Sequence, residues 1–431
     1  MSTESMAPVS NTDTLDDLDE FRRRAKGFLR AEVGPARASL TAGLRKLGTD
    51  EDDLREVAHD RALQRTFFDA GFAGITVPVE FGGQGLTRAH QLVLNEELEG
   101  YDYPVRLQIP TMTPCMAVLL EFGTEQQKLT HIPAILRGEE LWMQFLSEPS
   151  GGSDVAGALM SAVRDGDEWV LNGSKVWTTG AWWSDWGLCL ARTNWDVPNH
   201  RGLSVFIFPI DAAGIEIQRI EMLNGNMDFC QEYLDDVRVP DSDRVGGVDD
   251  GWTVGTRWMF HERMSSNSPF VTRPQELERS SLDGAALRRI ARDGGISGTD
   301  AAQELVGEGE MLTLVGSALG RRVGQGMRTG TLSDQSAAIA RLYGGLSLVR
   351  RNTIALELAG SAGAAWSDDD GELALRGEDF LMRQASCIGG GTTEMASNVI
   401  AERVLGMPRE RALDRDVAFR DVPRGPASEE N

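Results

Sequence analysis

The spacing of apolar residues divides the chain into a helical stretch, a strand-like stretch and a second helical stretch. From Leu15 onward, apolar residues recur every three or four positions, which predicts amphipathic helices. Helical spacing continues as far as Arg137, interrupted by a glycine-rich apolar connection at residues 71–85. From Leu141 the pattern changes to short runs rich in β-branched and aromatic residues, and from Gly251 it returns to helical spacing. This order predicts an N-terminal helical domain, a central β-domain and a C-terminal set of helices.

Short segments with strand character fill the middle of the chain. They lie at residues 142–146, 161–164, 168–171, 175–178, 186–192, 203–209, 215–220 and 230–239. Asp-Gly at residues 165–166 and Asn-Gly at residues 172–173 are dipeptides typical of two-residue hairpin turns. Short strands joined by such turns indicate an antiparallel β-domain.

Long helices with short connections dominate the last third of the chain. They are predicted at residues 252–265, 301–329, 333–359 and 393–405, with a connection at residues 266–300 that glycine and proline interrupt. This arrangement is typical of a four-helix bundle. We expect a disordered tail (1–13), an N-terminal helical domain (14–137), a central β-barrel domain (138–248), a helical bundle (249–410) and a loose tail (411–431).

The charge of the chain excludes several classes of partner. There are 43 basic and 66 acidic residues, which gives a net charge of −23. Nucleic acids and anionic membranes are bound mainly through clustered Lys and Arg, so neither is expected as a partner. No apolar run is long enough to span a membrane, and the polar N-terminus lacks a secretory signal, so a cytoplasmic location is expected. The four cysteines are dispersed without a C-x-x-C pair, so neither a metal site nor a disulfide framework is expected.

Candidate chemistry is concentrated in residues 142–179. The first half of this stretch combines the hydroxyls of Ser147 and Ser153 with adjacent glycines at residues 151–152. The second half places Trp177 next to two threonines. Glycine turns allow close approach of a backbone to phosphate, and an indole ring packs on flat ligands. The stretch therefore predicts a site for a ligand with a flat ring, a polar edge and phosphates.

Four motifs, in order along the chain, resemble signatures of the acyl-CoA dehydrogenase family. They are G-T-E-Q-Q-K at residues 123–128 with G-E at 138–139, S-E-P-S-G-G-S-D at 147–154, N-G-S-K-V-W-T-T at 172–179, and G-G-T-T-E at 390–394 followed by I-A-E-R-V-L-G-M-P-R at 400–409. The resemblance covers nearly the whole chain, from about Leu15 to Glu410. It implies an α+β multidomain fold with an N-terminal α-helical domain, a central antiparallel β-barrel and a C-terminal four-helix bundle.

The same resemblance implies FAD, bound non-covalently, and an acyl-CoA substrate. A carboxylate would remove the α-proton while the β-hydrogen leaves as hydride to flavin N5, and the electrons would pass to an electron-transfer flavoprotein. The implied assembly is a homodimer or homotetramer, with a mixed oligomer left open. The residues expected to bind the cofactor are Gln144, Leu146, Ser147, Gly152, Ser153, Trp177, Thr179, Glu357, Gly360, Thr392 and Glu394.

The catalytic base departs from the commonest pattern of the family. Many members carry a glutamate directly before the Gly-Thr of the C-terminal signature, where this chain has Gly390, which cannot accept a proton. A subset of the family instead carries the glutamate in a Glu-Arg pair on the first helix of the C-terminal domain. Glu262 and Arg263 match that pair, so Glu262 is the predicted base, and the Gly390 backbone N–H is expected to serve the thioester oxygen. The alternative is that Glu262 is a solvated or ion-paired helix residue.

Three further residues are assigned to the substrate, and two alternatives remain open. Ser153, Arg263 and Gly391 are expected to bind the acyl-CoA. The adenine half of the FAD site departs from the family, because residues 320–328 lack its Phe-Gly and Glu357 occupies the position of a glutamine. A carboxylate there repels a pyrophosphate unless it is turned away or bridged. An FAD-poor partner subunit of a mixed oligomer is therefore one alternative. The other is a flavin-dependent monooxygenase or oxidase on the same fold, against which Glu262 argues because those enzymes lack a carboxylate base.

Overall fold

The structure, a computed structural model, describes most of the chain in two compact units. The described residues are 15–37, 49–265, 268–274, 282–365, 371, 373–412 and 414–423, so the predicted tail at residues 1–13 lies outside them. The first unit contains 15–37, 49–142, 260–265 and 268–274, and the second contains the remaining described residues. Across these residues, no helix combines the length and the apolar character needed to cross a bilayer.

The first unit is helical. Its helices are α1 (Leu15–Glu32), α2 (Asp50–Asp69), α3 (Arg88–Glu97), α4 (Val105–Leu107), α5 (Ala117–Phe122), α6 (Glu125–Leu136) and the end of α7 (Gly251–Arg263). A π-helical stretch, Gln108–Met116, joins α4 to α5. Helix α1 packs on α3, and α2 packs on α4 and α6. Aromatic rings fill the core between them, with Phe28 stacked on Phe72 at a centroid distance of 4.8 Å.

Helix α6 begins after Thr124, the N-cap that the sequence predicts, and it continues through His131, where the sequence predicts the start of a separate short helix at residues 131–137. The Thr124 hydroxyl accepts from the Gln127 N–H at 3.1 Å, and the Gln127 side chain accepts from the Thr124 N–H at 2.9 Å. This capping box satisfies two N–H groups that a helix start otherwise leaves without partners. His131 is buried inside the helix, where its Nδ1 lies 3.0 Å from Glu140.

The second unit begins with a mainly antiparallel eight-stranded sheet. The strands are β1 (Trp142–Phe145), β2 (Ser161–Asp165), β3 (Glu168–Thr179), β4 (Trp186–Arg192), β5 (Leu203–Pro209), β6 (Ile215–Arg219), β7 (Phe229–Pro240) and β8 (Arg244–Val245). Their order is β6-β7-β3-β2-β4-β5-β8, and β1 pairs with β4. Buried apolar residues of β1 to β5 and β7 form one core, which includes Phe145, Trp169, Phe206 and Phe208.

One of the two predicted hairpin turns is absent. Gly166 lies in a left-handed turn between β2 and β3, as Asp-Gly predicts, but Asn172 and Gly173 lie inside a continuous β3, where Asn172 faces a bulge in β7 at residues 235–236. The Asn172 side chain accepts from the Asp236 N–H at 2.9 Å and donates to its carboxylate at 3.0 Å. Gly173 has φ 147°, and a Cβ there would lie 2.9 Å from the Met160 Cα. The dipeptide therefore stays in the strand and faces the bulge of β7.

Helices complete the second unit. They are the first part of α7, α8 (Gly284–Asp293), α9 (Asp300–Arg328), α10 (Ala337–Ala365), α11 (Ala374–Met382) and α12 (Thr393–Val399). Helix α10 packs against α8, α9, α11 and α12. It continues past residue 359 with a kink at Gly360, where φ is 60° and ψ is −138°. The sequence predicts no helix at α8 or α11, which are only ten and nine residues long, although Leu287, Ile290 and Ala291 of α8 are buried at helical spacing.

The C-terminal strap, defined as residues 414–423, packs on the β-domain. Phe419 is buried, and its N–H donates to the Val197 carbonyl at 2.9 Å. The Arg192 guanidinium lies 3.4 Å from the centre of the Phe419 ring, a cation–π contact in a buried setting. The expectation of a loose tail is therefore wrong for residues 414–423, because the buried Phe419 ring and the backbone N–H of Arg420, which donates to the Trp195 carbonyl at 3.0 Å, attach them to the β-domain. Residues 424–431 lie outside the described part of the chain.

Replacing Phe419 by alanine is expected to release the strap. Trypsin should then cut after Arg415 or Arg420 at least about tenfold faster, since each 1.4 kcal/mol lost multiplies the open population tenfold. Time courses of limited proteolysis followed by mass spectrometry measure this. Exposed Asp416→Ala serves as the control and should match the unmodified chain. Equal cleavage of the two variants would show that the ring does not hold the strap.

Candidate functional site

The structure brings together the two central motifs of the predicted site. The Val176 N–H donates to the Ser147 carbonyl at 3.0 Å, and the Lys175 ammonium donates to the Leu146 carbonyl at 3.1 Å. The 147–154 turn therefore lies against the end of β3. Residues that the sequence assigns to the ring and to the phosphates of one ligand are neighbours.

The 147–154 turn presents its glycine and hydroxyl side to solvent. Glu148 and Gly151 exchange backbone hydrogen bonds of 3.4 and 3.0 Å, which closes the turn. Gly152 and Ser153 are exposed, and a Cβ on Gly152 would come within 3.4 Å of the Ser147 Oγ. The open backbone at Gly152 and the hydroxyl of Ser153 are suited to a phosphate group.

Trp177 offers an open aromatic surface beside a hydroxyl. Its backbone is left-handed (φ 67°), at a bulge between Val176 and Thr178, and 54% of its surface is exposed. One edge contacts the Phe229 ring at a centroid distance of 5.7 Å. Thr179 is also exposed, whereas Thr178 between them is buried. An indole left this open, next to a hydroxyl, suits a flat ring with a polar edge.

A buried ion pair supports the turn from beneath. The Glu148 carboxylate accepts from the Lys175 ammonium at 2.9 Å and from the N–H groups of Leu159 and Met160 at 2.6 and 3.0 Å. Lys175 is fully buried and Glu148 nearly so. The sequence treats Glu148 as structural and assigns no role to Lys175. A lysine on a strand is usually exposed, so only the fold reveals that this one points inward.

Gln144 lies on β1, and Leu146 lies between the end of β1 and the 147–154 turn. The Gln144 amide oxygen accepts from the Trp258 indole N–H at 2.7 Å, so this side chain is already engaged with α7. The backbone carbonyl of Gln144 lies 3.4 Å from the Thr178 hydroxyl. Three separate hydrogen bonds therefore join residues 144, 146 and 147 to β3.

The C-terminal motif forms an exposed turn that begins α12. Gly390 and Gly391 have φ values of 71° and 96°, which favour glycine. The Thr392 hydroxyl accepts from the Met395 N–H at 3.1 Å and caps the helix. Hydrogen bonds from its own backbone N–H and from the hydroxyls of Thr393 and Thr392 hold the pKa of Glu394 below its usual range. The Glu394 carboxyl is therefore ionised at neutral pH and exposed.

The carboxylate that disturbs the predicted adenine half is paired with an arginine. Glu357 lies 3.3 Å from Arg350, which also bonds Glu308 at 2.6 Å. This arginine bridges two carboxylates and compensates part of their charge. Gly360 follows at the kink of α10, where a Cβ would meet no atom of the described residues within 4 Å.

Glu262 and Arg263 belong to the first unit, at the end of α7. Glu262 is half-buried, whereas Arg263 is exposed. Burial raises the pKa of the Cys115 thiol, and the charge of Glu262 raises it further, so the two groups interact. The preceding residue, His261, is buried with its Nε2 3.0 Å from Glu121. Glu262 is therefore half-buried beside a buried segment, and its role as the base stays a prediction.

Comparisons with known proteins identify the family of the chain. The family description "Acyl-CoA dehydrogenase, N-terminal domain" matches residues 16–139, and "Acyl-CoA dehydrogenase, middle domain" matches residues 144–237. The acyl-CoA dehydrogenase IpdE1 of Mycobacterium tuberculosis is 32% identical over 92% of this chain and 99% of its own length. The acyl-CoA dehydrogenase FadE34 of the same organism is 31% identical over 90% of this chain and 51% of its own length. A solved structure, the Tcur3481-Tcur3483 steroid ACAD, superposes with a TM-score of 0.70 at 26% identity, covering 92% of this chain and 99% of that one. The chain therefore belongs to the acyl-CoA dehydrogenase family of flavoprotein oxidoreductases.

Proposed function

We propose that this chain is an FAD-dependent enzyme that converts an acyl-CoA thioester to the 2-enoyl-CoA. The observation that carries the proposal is the open Trp177 surface, held next to the 147–154 turn by the Val176–Ser147 hydrogen bond. It provides a ring surface and a phosphate-accepting turn side by side, as a flavin nucleotide requires.

The residues around Trp177 fit the ring half of FAD. Trp177 packs on the flat ring, and the hydroxyls of Ser147 and Thr179 with the backbone at Leu146 supply hydrogen bonds to its polar edge. Gly152 and Ser153 approach a phosphate. When bound, FAD supplies a two-electron acceptor that takes the β-hydrogen of the substrate as hydride.

The chain's own residues supply the proton chemistry. Glu262 takes the α-proton of the thioester, and the Gly390 backbone N–H donates to the thioester oxygen as negative charge develops on it. Arg263, Ser153 and Gly391 bind other parts of the acyl-CoA. Partial burial of Glu262 supports its role, since a fully solvated carboxylate is too weak a base for a thioester α-proton.

The residues of the adenosine half of the cofactor site support a second candidate function. Glu357, Gly360, Thr392 and Glu394 are assigned to the adenosine side, and two of them are carboxylates. The Arg350 pair lowers the repulsion from Glu357 without removing it. An FAD-poor subunit of a mixed oligomer is therefore the second candidate. Two solved relatives carry paired names, the steroid ACAD above and the ChsE4-ChsE5 complex.

FAD content separates the two candidates. The purified chain should carry close to one FAD per subunit, and an acyl-CoA should bleach the flavin absorbance without added oxygen. A panel of straight-chain, branched and polycyclic acyl-CoAs identifies the substrate class, and reduction of an electron-transfer flavoprotein tests the proposed acceptor. A colourless chain that gains no flavin spectrum when mixed with FAD would reject the homomeric enzyme and favour the partner subunit.

Replacing Trp177 by alanine is expected to weaken FAD binding. The loss of ring packing should cost about 1–3 kcal/mol, which corresponds to a roughly 5- to 150-fold higher Kd for FAD. Titration of the FAD-free chain, followed by flavin fluorescence, measures this. Trp186→Ala, a partly buried tryptophan at the start of β4, is the control and should leave the Kd unchanged. An unchanged Kd in Trp177→Ala would remove this residue from the cofactor site.

A further inference from the structure

A buried polar pair, Glu232 and Thr178, lies beneath the Trp177 surface and has no part in the proposed chemistry. Glu232 of β7 has no exposed surface, and its Oε2 lies 3.0 Å from the Thr178 hydroxyl. Its other oxygen, Oε1, is buried and finds no hydrogen-bond partner among the described residues. The Thr178 hydroxyl in turn lies 3.4 Å from the Gln144 carbonyl of β1. Glu232, Thr178 and Gln144 therefore form a short chain that ends at the strand carrying the proposed ring contacts.

The nearest cation to Glu232 in the sheet is engaged by another carboxylate. Lys175 is its Cα partner across β3 and β7, but the Lys175 ammonium bonds Glu148 and the Leu146 carbonyl. Glu148 also accepts two backbone N–H groups, so it is the better-satisfied carboxylate of the two. A single buried ammonium therefore lies near two buried carboxyls and, of the two, bonds only Glu148. Glu232, whose side chain has a single hydroxyl partner in Thr178, is the carboxyl that stays protonated.

Other titratable groups near Glu232 do not change this balance. They are the Cys189 thiol on β4 and the Cys230 thiol on β7, whose pKa values burial raises to about 12 and about 11, so both are neutral. The charge of Arg219 on β6 lowers the pKa of Cys230, and its guanidinium stacks on the Trp182 ring. Burial likewise raises the pKa of Glu232 to about 8, with the Thr178 hydrogen bond, the backbone N–H of Glu232 and the Lys175 charge opposing the shift.

We propose that Glu232 is a positioning residue for the flavin: as the neutral acid, it donates to the Thr178 hydroxyl and thereby directs that hydroxyl to the Gln144 carbonyl. Thr178 has one proton to give. When Glu232 is protonated, Thr178 accepts from it and donates to Gln144, which ties β3 to β1 beside Trp177. When Glu232 loses its proton to solvent, Thr178 turns its own proton to the carboxylate and the tie to Gln144 is lost.

This inference rests on the proposed FAD site and predicts that the bound flavin senses Glu232. In the FAD-loaded chain, the visible absorption spectrum and the midpoint potential should change with an inflection near pH 8. Glu232→Gln, which keeps a donor but cannot ionise, should show no inflection. Thr178→Val, which cuts the chain, should also show none. Glu216→Gln, an exposed glutamate on the neighbouring β6, is the control and should match the unmodified protein.

A second measurement needs no flavin. The native chain retains the Glu232 proton up to about pH 8, whereas the unfolded chain releases it near the ordinary glutamate value of about 4.3. The unmodified chain therefore loses stability relative to Glu232→Gln as pH rises through this window, by about tenfold in the unfolding equilibrium per pH unit. Thr178→Val should keep this pH dependence, because the buried carboxyl remains.

The two measurements separate the possible failures. A constant stability difference between Glu232→Gln and the unmodified chain from pH 5 to 8 would overturn the claim that Glu232 is a neutral acid in the folded chain. A pH-dependent stability with a flavin inflection that persists in Glu232→Gln would overturn the positioning role, while FAD binding and acyl-CoA bleaching would leave the proposed function intact. Absence of any bound FAD would reject the proposed function and, with it, the positioning role.

Discussion

Replacing Glu262 by glutamine is expected to leave FAD bound and to slow acyl-CoA-dependent bleaching of the flavin by about 100- to 10,000-fold. A positioned base contributes this much to proton transfer, and glutamine has nearly the same shape but cannot accept the α-proton. Glu262 is half-buried at the end of α7, so the substitution removes a charge without opening a cavity. Stopped-flow absorbance under anaerobic conditions measures the bleaching rate, and the flavin-to-protein ratio is measured first.

Glu121→Gln is the matched control for this experiment. Glu121 also lies in the first unit and pairs with His261, directly before Glu262 in sequence. Its loss should change the bleaching rate far less, because it alters the surroundings of the helix end without removing the proposed base. Normal bleaching by Glu262→Gln would show that the base is elsewhere. Equal losses in both variants would point to a general disturbance of α7.

The largest expected effect on stability comes from Lys175. Replacing this fully buried lysine by methionine leaves the Glu148 carboxylate in the interior without its ammonium. Removing one partner of a buried ion pair typically costs about 3–5 kcal/mol of unfolding free energy, since the remaining charge is uncompensated. Chemical denaturation at neutral pH measures the loss. Because Lys175 also binds the Leu146 carbonyl, the 147–154 turn should loosen and FAD content should fall as well.

A double variant and a surface control complete this test. Glu148→Gln combined with Lys175→Met removes both charges, and it should be more stable than Lys175→Met alone. Arg238→Ala removes an exposed arginine that pairs with Asp165 and Glu168, and it should change stability little. If Lys175→Met were as stable as Arg238→Ala, the buried ion pair would contribute nothing measurable to the free energy of unfolding.

Much of the architecture could be predicted from the sequence alone, because local patterns determine it. The change from helical to strand spacing near Leu141, and back near Gly251, follows from the apolar periodicity. Helices α9 and α12 begin within one residue of their predicted starts at residues 301 and 393. The family motifs give the membership, which the comparisons confirm. The predicted site residues stay predictions until the experiments above are done.

The sequence was ambiguous where one short signal serves two backbone geometries. Asn-Gly at residues 172–173 predicts a hairpin, yet a bulge in β7 supplies a partner for Asn172 and the same dipeptide stays inside a continuous β3. The C-terminal strap depends in the same way on a distant residue, since Phe419 is held by Arg192. Neither partner is near in sequence, so no local pattern contains this information.

Burial of charge is the property that only the tertiary structure decided. Lys175 and Glu232 are charged residues within strands, and their residue types alone suggest solvated side chains. The fold places both in the interior, gives the lysine to Glu148, and leaves Glu232 with a single hydroxyl partner. The sequence by itself determined the order of helices and strands and the family motifs, because these depend on neighbours along the chain. The protonation and pairing of buried groups depend on which strands meet, and that is settled only when the chain has folded.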